Sequence, residues 1–286
     1  MIPPWFKLLR PTHWIKNCLV FIPLIFSLNI LSGWAALEAT IAFFSFSFMA
    51  STIYVINDYI DIKRDQAHPT KKNRPLASGK VSKPLAIILA MICVLISLGL
   101  GMLLPGMFTI ILVIYTALNF SYSLYLKHIV LIDLLVVAVC YVLRVYAGAK
   151  AIGVPITSWL LFITFFLALF IVSGKRFSEI SHHGSHSRPV LAEYTDAFLA
   201  TIMNISATGV IVFYALYTTT KNFLFGYSII FIIFALFRIL YWTQVKKSAE
   251  EPEKLFLKDP WLNITIILWA VLSGITLYFP NLLGQH

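Results

Sequence analysis

Residues 57–82 read NDYIDIKRDQAHPTKKNRPLASGKVS, a polar stretch between two apolar segments of the chain. Three of the twelve acidic residues of the protein, Asp58, Asp61 and Asp65, lie in its first half, and lysines and arginines dominate its second half. Carboxylates at the end of an apolar segment are costly and are usually retained for a function. The apolar segments around this stretch decide the fold, and the stretch itself is the first place to look for chemistry.

The composition is that of a membrane protein. The 286 residues are 59% hydrophobic and only 12% charged, whereas soluble domains average about 25% charged residues. The formal net charge of +10 would suggest nucleic acid as the partner of a soluble protein. In a membrane protein it indicates loops that face anionic lipids and anionic substrates. We therefore expect membrane lipids as partners and no nucleic acid.

Nine apolar segments are long enough to cross a bilayer, which takes about 20 residues in an α-helix. They are residues 16–32, 37–56, 84–104, 107–126, 129–149, 156–174, 196–219, 223–243 and 261–279. The sequence thus predicts an all-α membrane protein with nine transmembrane helices, built as a single polytopic domain over residues 1–286.

The basic residues predict the orientation of these helices. If the N-terminus is cytoplasmic, only Arg144, Lys150 and Lys221 of the 22 Lys and Arg residues fall outside the cytoplasmic segments. Such asymmetry follows the positive-inside rule and predicts a C-terminus on the outer side of the cell inner membrane. We expect no cleavable signal peptide, because the first apolar run begins only after Lys16 and has no cleavage site.

The acidic half of the stretch has the spacing of a metal site. Asn57, Asp61 and Asp65 are each four residues apart, and Asp58 lies beside the first of them. On a continued helix these side chains share one face, with neighbours about 5–6 Å apart. Such carboxylates repel one another unless a cation lies among them, and Mg²⁺ takes oxygen ligands together with phosphate oxygens. We therefore predict that Asn57, Asp58, Asp61 and Asp65 bind Mg²⁺ and, through it, a diphosphate, with the three aspartates as catalytic residues.

The alternative for these aspartates is a solvated helix end at which they pair with nearby cations. In the basic half, Lys71, Lys72 and Arg74 could hold phosphate oxygens, lysine as a point charge and arginine as a fork. His68 is a further candidate in the same loop. The alternative for these cations is the positive-inside rule alone.

Other possible metal sites have weaker support. Cys18, Cys93 and Cys140 stand alone in apolar segments, so the sequence supports neither a zinc site nor a disulfide framework. The run of residues 182–186, HHGSH, could bind a transition metal. No cysteine or carboxylate accompanies it, so a loop without a metal is the favoured interpretation.

The sequence resembles the UbiA superfamily of intramembrane prenyltransferases over essentially its whole length. Residues 57–65 (NDYIDIKRD) are similar to the first aspartate-rich motif of that superfamily, and residues 122–127 (YSLYLK) to its YSxxLK pattern. Four further segments resemble the decaprenyl-phosphate phosphoribosyltransferase branch: residues 10–17, 68–79, 143–159 and 173–176. The resemblance implies one UbiA-like domain whose helices surround a central cavity open to the cytoplasmic side, with active-site loops at about 57–83 and 175–195.

The branch implies a specific reaction. Its members transfer 5-phosphoribose from phosphoribosyl pyrophosphate to a polyprenyl phosphate and release pyrophosphate, which provides precursors of cell-envelope polysaccharides. Most of the superfamily carries a second D-x-x-x-D motif after the sixth span, where this chain has Lys175-Arg176-Phe177-Ser178-Glu179. Exchange of carboxylates for cations suits a donor that carries a 5-phosphate in addition to its diphosphate.

Six further residues are candidates for binding phosphate or diphosphate: Lys16, Tyr122, Lys127, Arg144, Lys175 and Arg176. Three of them have a simpler explanation: Lys16 could reach the interface, Tyr122 could be an interfacial aromatic residue, and Arg144 could form an ion pair. Asp133, a carboxylate about one turn inside the fifth span, is a candidate functional residue, and the alternative is that it pairs with Lys127 or Arg144.

Two other functions stay open at this point. One is intramembrane transfer of a prenyl group from a prenyl diphosphate to an aromatic acceptor, in quinone or haem synthesis, and Lys175 to Glu179 count against it. The other is transport of an anionic solute, and the lack of clear inverted repeats counts against that. The oligomeric state and the acceptor chain length are not encoded in any pattern of the sequence.

Overall fold

The structure is a computed structural model that describes residues 3–67, 71–183, 189–221, 223–246 and 258–279. All regular elements in these residues are helices. The main elements, in chain order, are α1 (Pro4–Leu8), a 3₁₀-helix (Pro11–Phe21), α2 (Ile22–Phe26), α3 (Gly33–Ile60), α4 (Ile62–Gln66), α5 (Lys83–Met102), α6 (Gly106–Leu124), α7 (Ile132–Ala151), α8 (Ser158–His183), α9 (Asp196–Thr219), α10 (Phe223–Gly226), α11 (Ile229–Leu240), a π-helix (Tyr241–Val245) and α12 (Pro260–Tyr278). Short 3₁₀ turns occupy Lys71–Asn73, Leu126–His128 and Pro189–Glu193.

Within the described residues, eight helices are long and apolar enough to cross a membrane. They correspond to the second to ninth predicted spans, so the all-helical membrane architecture is confirmed. The first predicted span, residues 16–32, is built differently, because it holds the end of the 3₁₀-helix followed by the five-residue α2. Pro23 in the first turn of α2 has no N–H to continue the preceding helical ladder. The count of nine helices is therefore not confirmed.

The chain divides into two compact units, and one of the three points at which it passes from one unit to the other falls inside α7. The first unit comprises Met1–Leu124 and Leu143–Pro155, and the second comprises Tyr125–Val142 and Ile156–His286. The expectation of a single domain over residues 1–286 stays a prediction.

In the first unit, α3 packs against α5 through small side chains. The Ser45 hydroxyl donates to the carbonyl of Ser97 at 2.8 Å, and the Ser97 hydroxyl donates to the carbonyl of Ser45 at 2.7 Å. Ala39, Ala42 and Ala86 are fully buried in the same unit. Small residues allow two helix backbones to approach closely, and reciprocal hydrogen bonds then hold them together where no water is available.

The N-terminal 3₁₀-helix lies along α3 and is joined to it by polar contacts. The Trp14 indole N–H donates to the Ser51 hydroxyl at 3.0 Å, and the Asn17 amide donates to the Ser47 hydroxyl at 3.1 Å. Ser51 in turn donates to the carbonyl of Leu9 at 2.7 Å. These contacts fix the segment that leads from α1 into the 3₁₀-helix against the second half of α3.

In the second unit, α8 packs along α9, and a buried aspartate sets the start of α12. Asp259 accepts hydrogen bonds from the backbone N–H groups of Trp261 and Leu262 at 3.0 and 3.3 Å. Its other oxygen accepts from the Arg238 guanidinium at 2.7 Å and the Trp242 indole at 2.6 Å. The N-cap of α12 is thereby connected to α11 and to the π-helix that follows it.

Candidate active site

Two buried carboxylates of the polar stretch are held by the same arginine. Asp58, near the end of α3, and Asp65, in α4, are only 2% and 3% exposed. Arg74, from the basic loop, places Nη1 at 3.1 Å from Asp58 Oδ1 and at 2.6 Å from Asp65 Oδ2. Arg10, from the turn after α1, places Nη2 at 2.6 Å from Asp58 Oδ1. Two negative and two positive side chains thus form one cluster of zero formal charge.

The helix is interrupted between Asp58 and Asp65, but the backbone hydrogen bonds across the interruption keep the spacing of an α-helix. α3 ends at Ile60, and Asp61 has φ −87° and ψ 6°, outside the helical region. The N–H of Asp61 still donates to the carbonyl of Asn57 at 3.0 Å, and the N–H of Asp65 donates to the carbonyl of Asp61 at 2.8 Å. Asp58 and Asp65, about two turns apart, consequently lie on the same side of this segment, where Arg74 reaches both.

Arg10 is the member of the cluster that the sequence analysis missed. Its backbone is left-handed, with φ 51° and ψ 57°, which is uncommon for a residue other than glycine. Its guanidinium carbon lies 5.1 Å from the centre of the Tyr54 ring, one helical turn before Asp58 on α3. The arginine is therefore placed by an aromatic face and a carboxylate together. No pattern of spacing could reveal this pair, because 48 positions separate Arg10 from Asp58.

A second polar network of the first unit surrounds Arg144, which is 5% exposed. Its Nε donates to Asn17 Oδ1 at 2.8 Å, and its Nη2 donates to the Tyr115 hydroxyl at 2.8 Å. The guanidinium carbon also lies 4.8 Å from the centre of the Tyr115 ring. These contacts connect the end of α7 to α6 and the 3₁₀-helix, so Arg144 has a visible structural role. Its predicted contact with phosphate stays a prediction.

Arg176 of the second unit is also held by carboxylates. Its Nε lies 3.2 Å from Asp133 Oδ2, and its Nη1 lies 3.1 Å from Glu179 Oε2. Asp133 is fully buried, and Arg176 is 4% exposed. The alternative in which Asp133 pairs with Lys127 or Arg144 was wrong, because its partners are Arg176 and Tyr194. α8 brings an arginine and its own glutamate to the start of α7, a tertiary contact that helical spacing along α7 alone could not indicate.

Tyr194 completes this cluster in the second unit. Its hydroxyl donates to Asp133 Oδ1 at 2.6 Å and accepts the backbone N–H of Leu131 at 2.7 Å. Leu131 has a positive φ of 67°, so the tyrosine holds an unusual turn at the start of α7. Burial raises the pKa of the Tyr194 hydroxyl, and its bond to Asp133 raises it further. The hydroxyl therefore stays protonated and continues to donate.

We expect Tyr194→Phe to lower the free energy of unfolding by about 1–3 kcal/mol, because it leaves a buried carboxylate oxygen and a backbone N–H without their partner. Thermal unfolding of the detergent-solubilised protein measures this loss. Tyr125→Phe is the matched control, since Tyr125 is 72% exposed and should tolerate the change. Equal stability of the two variants would contradict the role given to the Tyr194 hydroxyl.

The comparisons with known proteins agree on one family. Residues 18–267 match the model described as the UbiA prenyltransferase family. The chain belongs to the UbiA prenyltransferase family. It is 33% identical to the decaprenyl-phosphate phosphoribosyltransferase of Mycobacterium tuberculosis over 96% of this chain and 94% of that protein. A protein of the same name from Corynebacterium glutamicum is 37% identical over 74% of this chain and 66% of its own length.

The UbiA fold is also found by comparison with solved structures. A UbiA homologue from Archaeoglobus fulgidus, solved with GPP and Mg²⁺ bound, superposes with a TM-score of 0.64 at 17% sequence identity. The match covers 96% of this chain and 97% of the homologue. At that identity the likeness shows a shared fold.

The remaining predicted residues of this UbiA-family chain are more accessible. Lys16, Asn57, Asp61, Lys71, Tyr122, Lys127 and Lys175 are half-buried, and Lys72 is exposed. His68 lies outside the described residues, as do the Gly184, Ser185 and His186 positions of the histidine-rich run. The structure therefore brings Asp58, Asp65 and Arg74 together in the first unit, and it adds Arg10 to them.

The donor set of the first unit fits a magnesium ion. In the part of the chain that the structure describes, no three His, Cys, Asp or Glu side chains are grouped to hold a metal, so a site with all of the predicted ligands stays a prediction. Asp58 and Asp65 nevertheless contact the same guanidinium nitrogen. Mg²⁺ is usually held in enzymes by one or two carboxylates together with water and substrate phosphates. Asp58 and Asp65, which lie side by side in space, meet that requirement.

Proposed function

We propose that this protein transfers 5-phosphoribose from phosphoribosyl pyrophosphate to a decaprenyl-like polyprenyl phosphate, and releases pyrophosphate, for the synthesis of cell-envelope polysaccharide precursors. The observation that carries the proposal is the 33% identity with a decaprenyl-phosphate phosphoribosyltransferase, which spans 96% of this chain and 94% of the relative. The cluster of Asp58, Asp65, Arg10 and Arg74 supports it, because these side chains can hold both a metal and a diphosphate.

In this proposal Asp58 and Asp65 hold Mg²⁺, and Asn57 and Asp61 complete its protein ligands. When bound, Mg²⁺ neutralises charge that develops on the departing pyrophosphate. Arg74, with Lys71, Lys72 and His68 of the same loop, binds phosphate oxygens of the donor. Lys16, Tyr122, Lys127, Arg144, Lys175 and Arg176 are the further proposed contacts to phosphate.

The reaction needs little proton transfer. The bond between C1 of the ribose and the pyrophosphate oxygen breaks, and pyrophosphate leaves with the electron pair. A new bond forms between C1 and an oxygen of the acceptor phosphate. That phosphate is already an anion at neutral pH, so no strong general base is required. The side chains of the site contribute by positioning the two substrates and by stabilising charge.

The proposed arrangement in the membrane has nine crossings. The first crossing is residues 16–32, which hold the end of the 3₁₀-helix and all of α2, so Lys16 lies at its cytoplasmic end. With it, the N-terminus, the polar stretch and an open central cavity face the cytoplasm, and the C-terminus lies outside the cell inner membrane.

The proposal is tested with the purified full-length protein in lipid nanodiscs. We expect labelled phosphoribose to pass from phosphoribosyl pyrophosphate to decaprenyl phosphate in the presence of Mg²⁺, with pyrophosphate released in equal amount, and we expect EDTA to stop both. The competing function predicts a different result. Transfer from a prenyl diphosphate to an aromatic acid, with no pyrophosphate released from phosphoribosyl pyrophosphate, would assign the chain to prenyl transfer.

A further inference from the structure

The cluster around Asp58 alternates acidic and basic side chains on three separate segments. Arg10 precedes the 3₁₀-helix, Asp58 and Asp65 flank the α3–α4 break, and Arg74 comes from the loop after α4. We propose that Arg10 and Arg74 exchange partners when the donor binds. They release the two aspartates to the metal and take the oxygens of the diphosphate. This inference rests on the proposed function only in requiring a donor that carries a diphosphate.

The charges of the cluster explain why such an exchange is needed. The two carboxylates and two guanidinium groups balance, and each carboxylate already has a guanidinium within 2.6 Å. A divalent cation that arrives alone meets carboxylates engaged by two positive groups. A diphosphate that arrives alone meets guanidinium groups engaged by two negative ones. When both arrive together, each charge finds an opposite partner again, so metal and diphosphate should bind with positive cooperativity.

The side chains of the cluster differ in exposure, and the more exposed ones have room to change partners. The side chains of Asp58 and Asp65 are 3% and 4% exposed, whereas those of Arg10 and Arg74 are 22% and 29% exposed. The carboxylates are therefore fixed by the protein around them, and the long arginine side chains approach from the accessible side. The ring of Tyr54 gives the Arg10 guanidinium a second surface, which keeps it beside the site after it leaves Asp58.

The exchange predicts opposite effects of Arg10→Gln on the two ligands. Mn²⁺ serves as the probe for the metal, measured by the electron paramagnetic resonance signal of the free ion, and pyrophosphate serves as the probe for the diphosphate. With the full-length protein in nanodiscs, Mn²⁺ alone should bind several-fold more tightly, because one competitor for Asp58 is gone. Pyrophosphate in the presence of Mn²⁺ should bind at least about tenfold more weakly, because a charged hydrogen-bond donor is lost.

Two further variants complete the test. Arg10→Lys keeps the charge without the fork and should recover part of the pyrophosphate affinity. Arg64→Gln is the matched control, because Arg64 is an exposed arginine next to Asp65, and both affinities should stay as in the original protein. If Arg10→Gln weakens both ligands or neither, Arg10 does not exchange partners and the proposal is overturned. Both probes are independent of the transferase assay, so failure of the proposed phosphoribosyl transfer leaves this result interpretable.

Discussion

We expect Asp58→Asn to lower kcat/KM for phosphoribosyl transfer by about a hundredfold to a thousandfold, the scale on which loss of one preorganised electrostatic group affects an active site. Asp58 is the carboxylate that both Arg10 and Arg74 contact. Asparagine has nearly the same shape but no charge, so the proposed metal site would lose a ligand, and the two guanidinium groups lose their shared partner. Initial rates of pyrophosphate release, measured over a range of Mg²⁺ concentrations, check this expectation.

The variant should remain folded, because both arginines are partly exposed and can be solvated when Asp58 loses its charge. Glu38→Gln is the matched control, since Glu38 lies on the same helix α3 but in its first turns, far along the chain from the cluster. It should retain full activity. An active Asp58→Asn protein would place the chemistry elsewhere in the molecule.

The largest loss of stability is expected from Gly148→Ala in α7. A Cβ atom at this position would lie 2.1 Å from the carbonyl oxygen of Val20 and 2.9 Å from its carbonyl carbon. These are backbone atoms of the 3₁₀-helix and cannot turn aside as a side chain can. We expect the free energy of unfolding to fall by about 3 kcal/mol or more. The better helix propensity of alanine offsets only about 1 kcal/mol of steric cost. The contact is one that only glycine permits.

The melting temperature of the solubilised protein should fall by roughly 6–12 °C for such a loss. Activity should fall as well, because Arg144, one turn earlier on α7, bonds to Asn17 of the displaced 3₁₀-helix. Gly99→Ala is the control: it lies inside α5, and nothing stands within 4 Å of its added Cβ. That variant should be as stable as the original or slightly more stable. Similar melting temperatures for both variants would refute the close packing of α7 on the 3₁₀-helix.

The features that the sequence predicts well are those that depend on local spacing. Hydropathy finds each helix that lies in an unbroken apolar run. The spacing of the polar residues from Asn57 to Asp65 predicts one shared side, on which the structure brings Asp58 and Asp65 together. The sequence predicts from the loop alone that Arg74 binds phosphate, which stays a prediction, and the structure shows that Arg74 contacts both aspartates. That contact requires the loop to fold back on the helix end, which no periodicity encodes.

The features that sequence reasoning misses depend on contacts between distant segments. Arg10 reaches Asp58 across 48 positions, and Arg176 reaches Asp133 across 43 positions. In both pairs the arginine is one of several basic residues that, from the sequence alone, could pair with the aspartate. Only the packing of the helices chooses among them. The helix type within the first predicted span was not foreseen for a different reason, because hydropathy reports how apolar a segment is and carries no information on the hydrogen-bond pattern of its backbone.

The 3₁₀-helix and α3 rise by different amounts per residue, yet their contacting side chains are evenly matched along the two helices. Trp14 and Asn17 stand three residues apart, and their partners Ser51 and Ser47 stand four apart. Three residues of a 3₁₀-helix and four of an α-helix both advance about 6 Å, so the two ladders of side chains meet at equal heights. An α-helical conformation of Pro11–Phe21 would shorten it by about 5 Å and bring Asn17 out of step with Ser47. An insertion or deletion in this pair of helices keeps their side-chain contacts aligned only when three residues of the 3₁₀-helix are matched by four residues of α3.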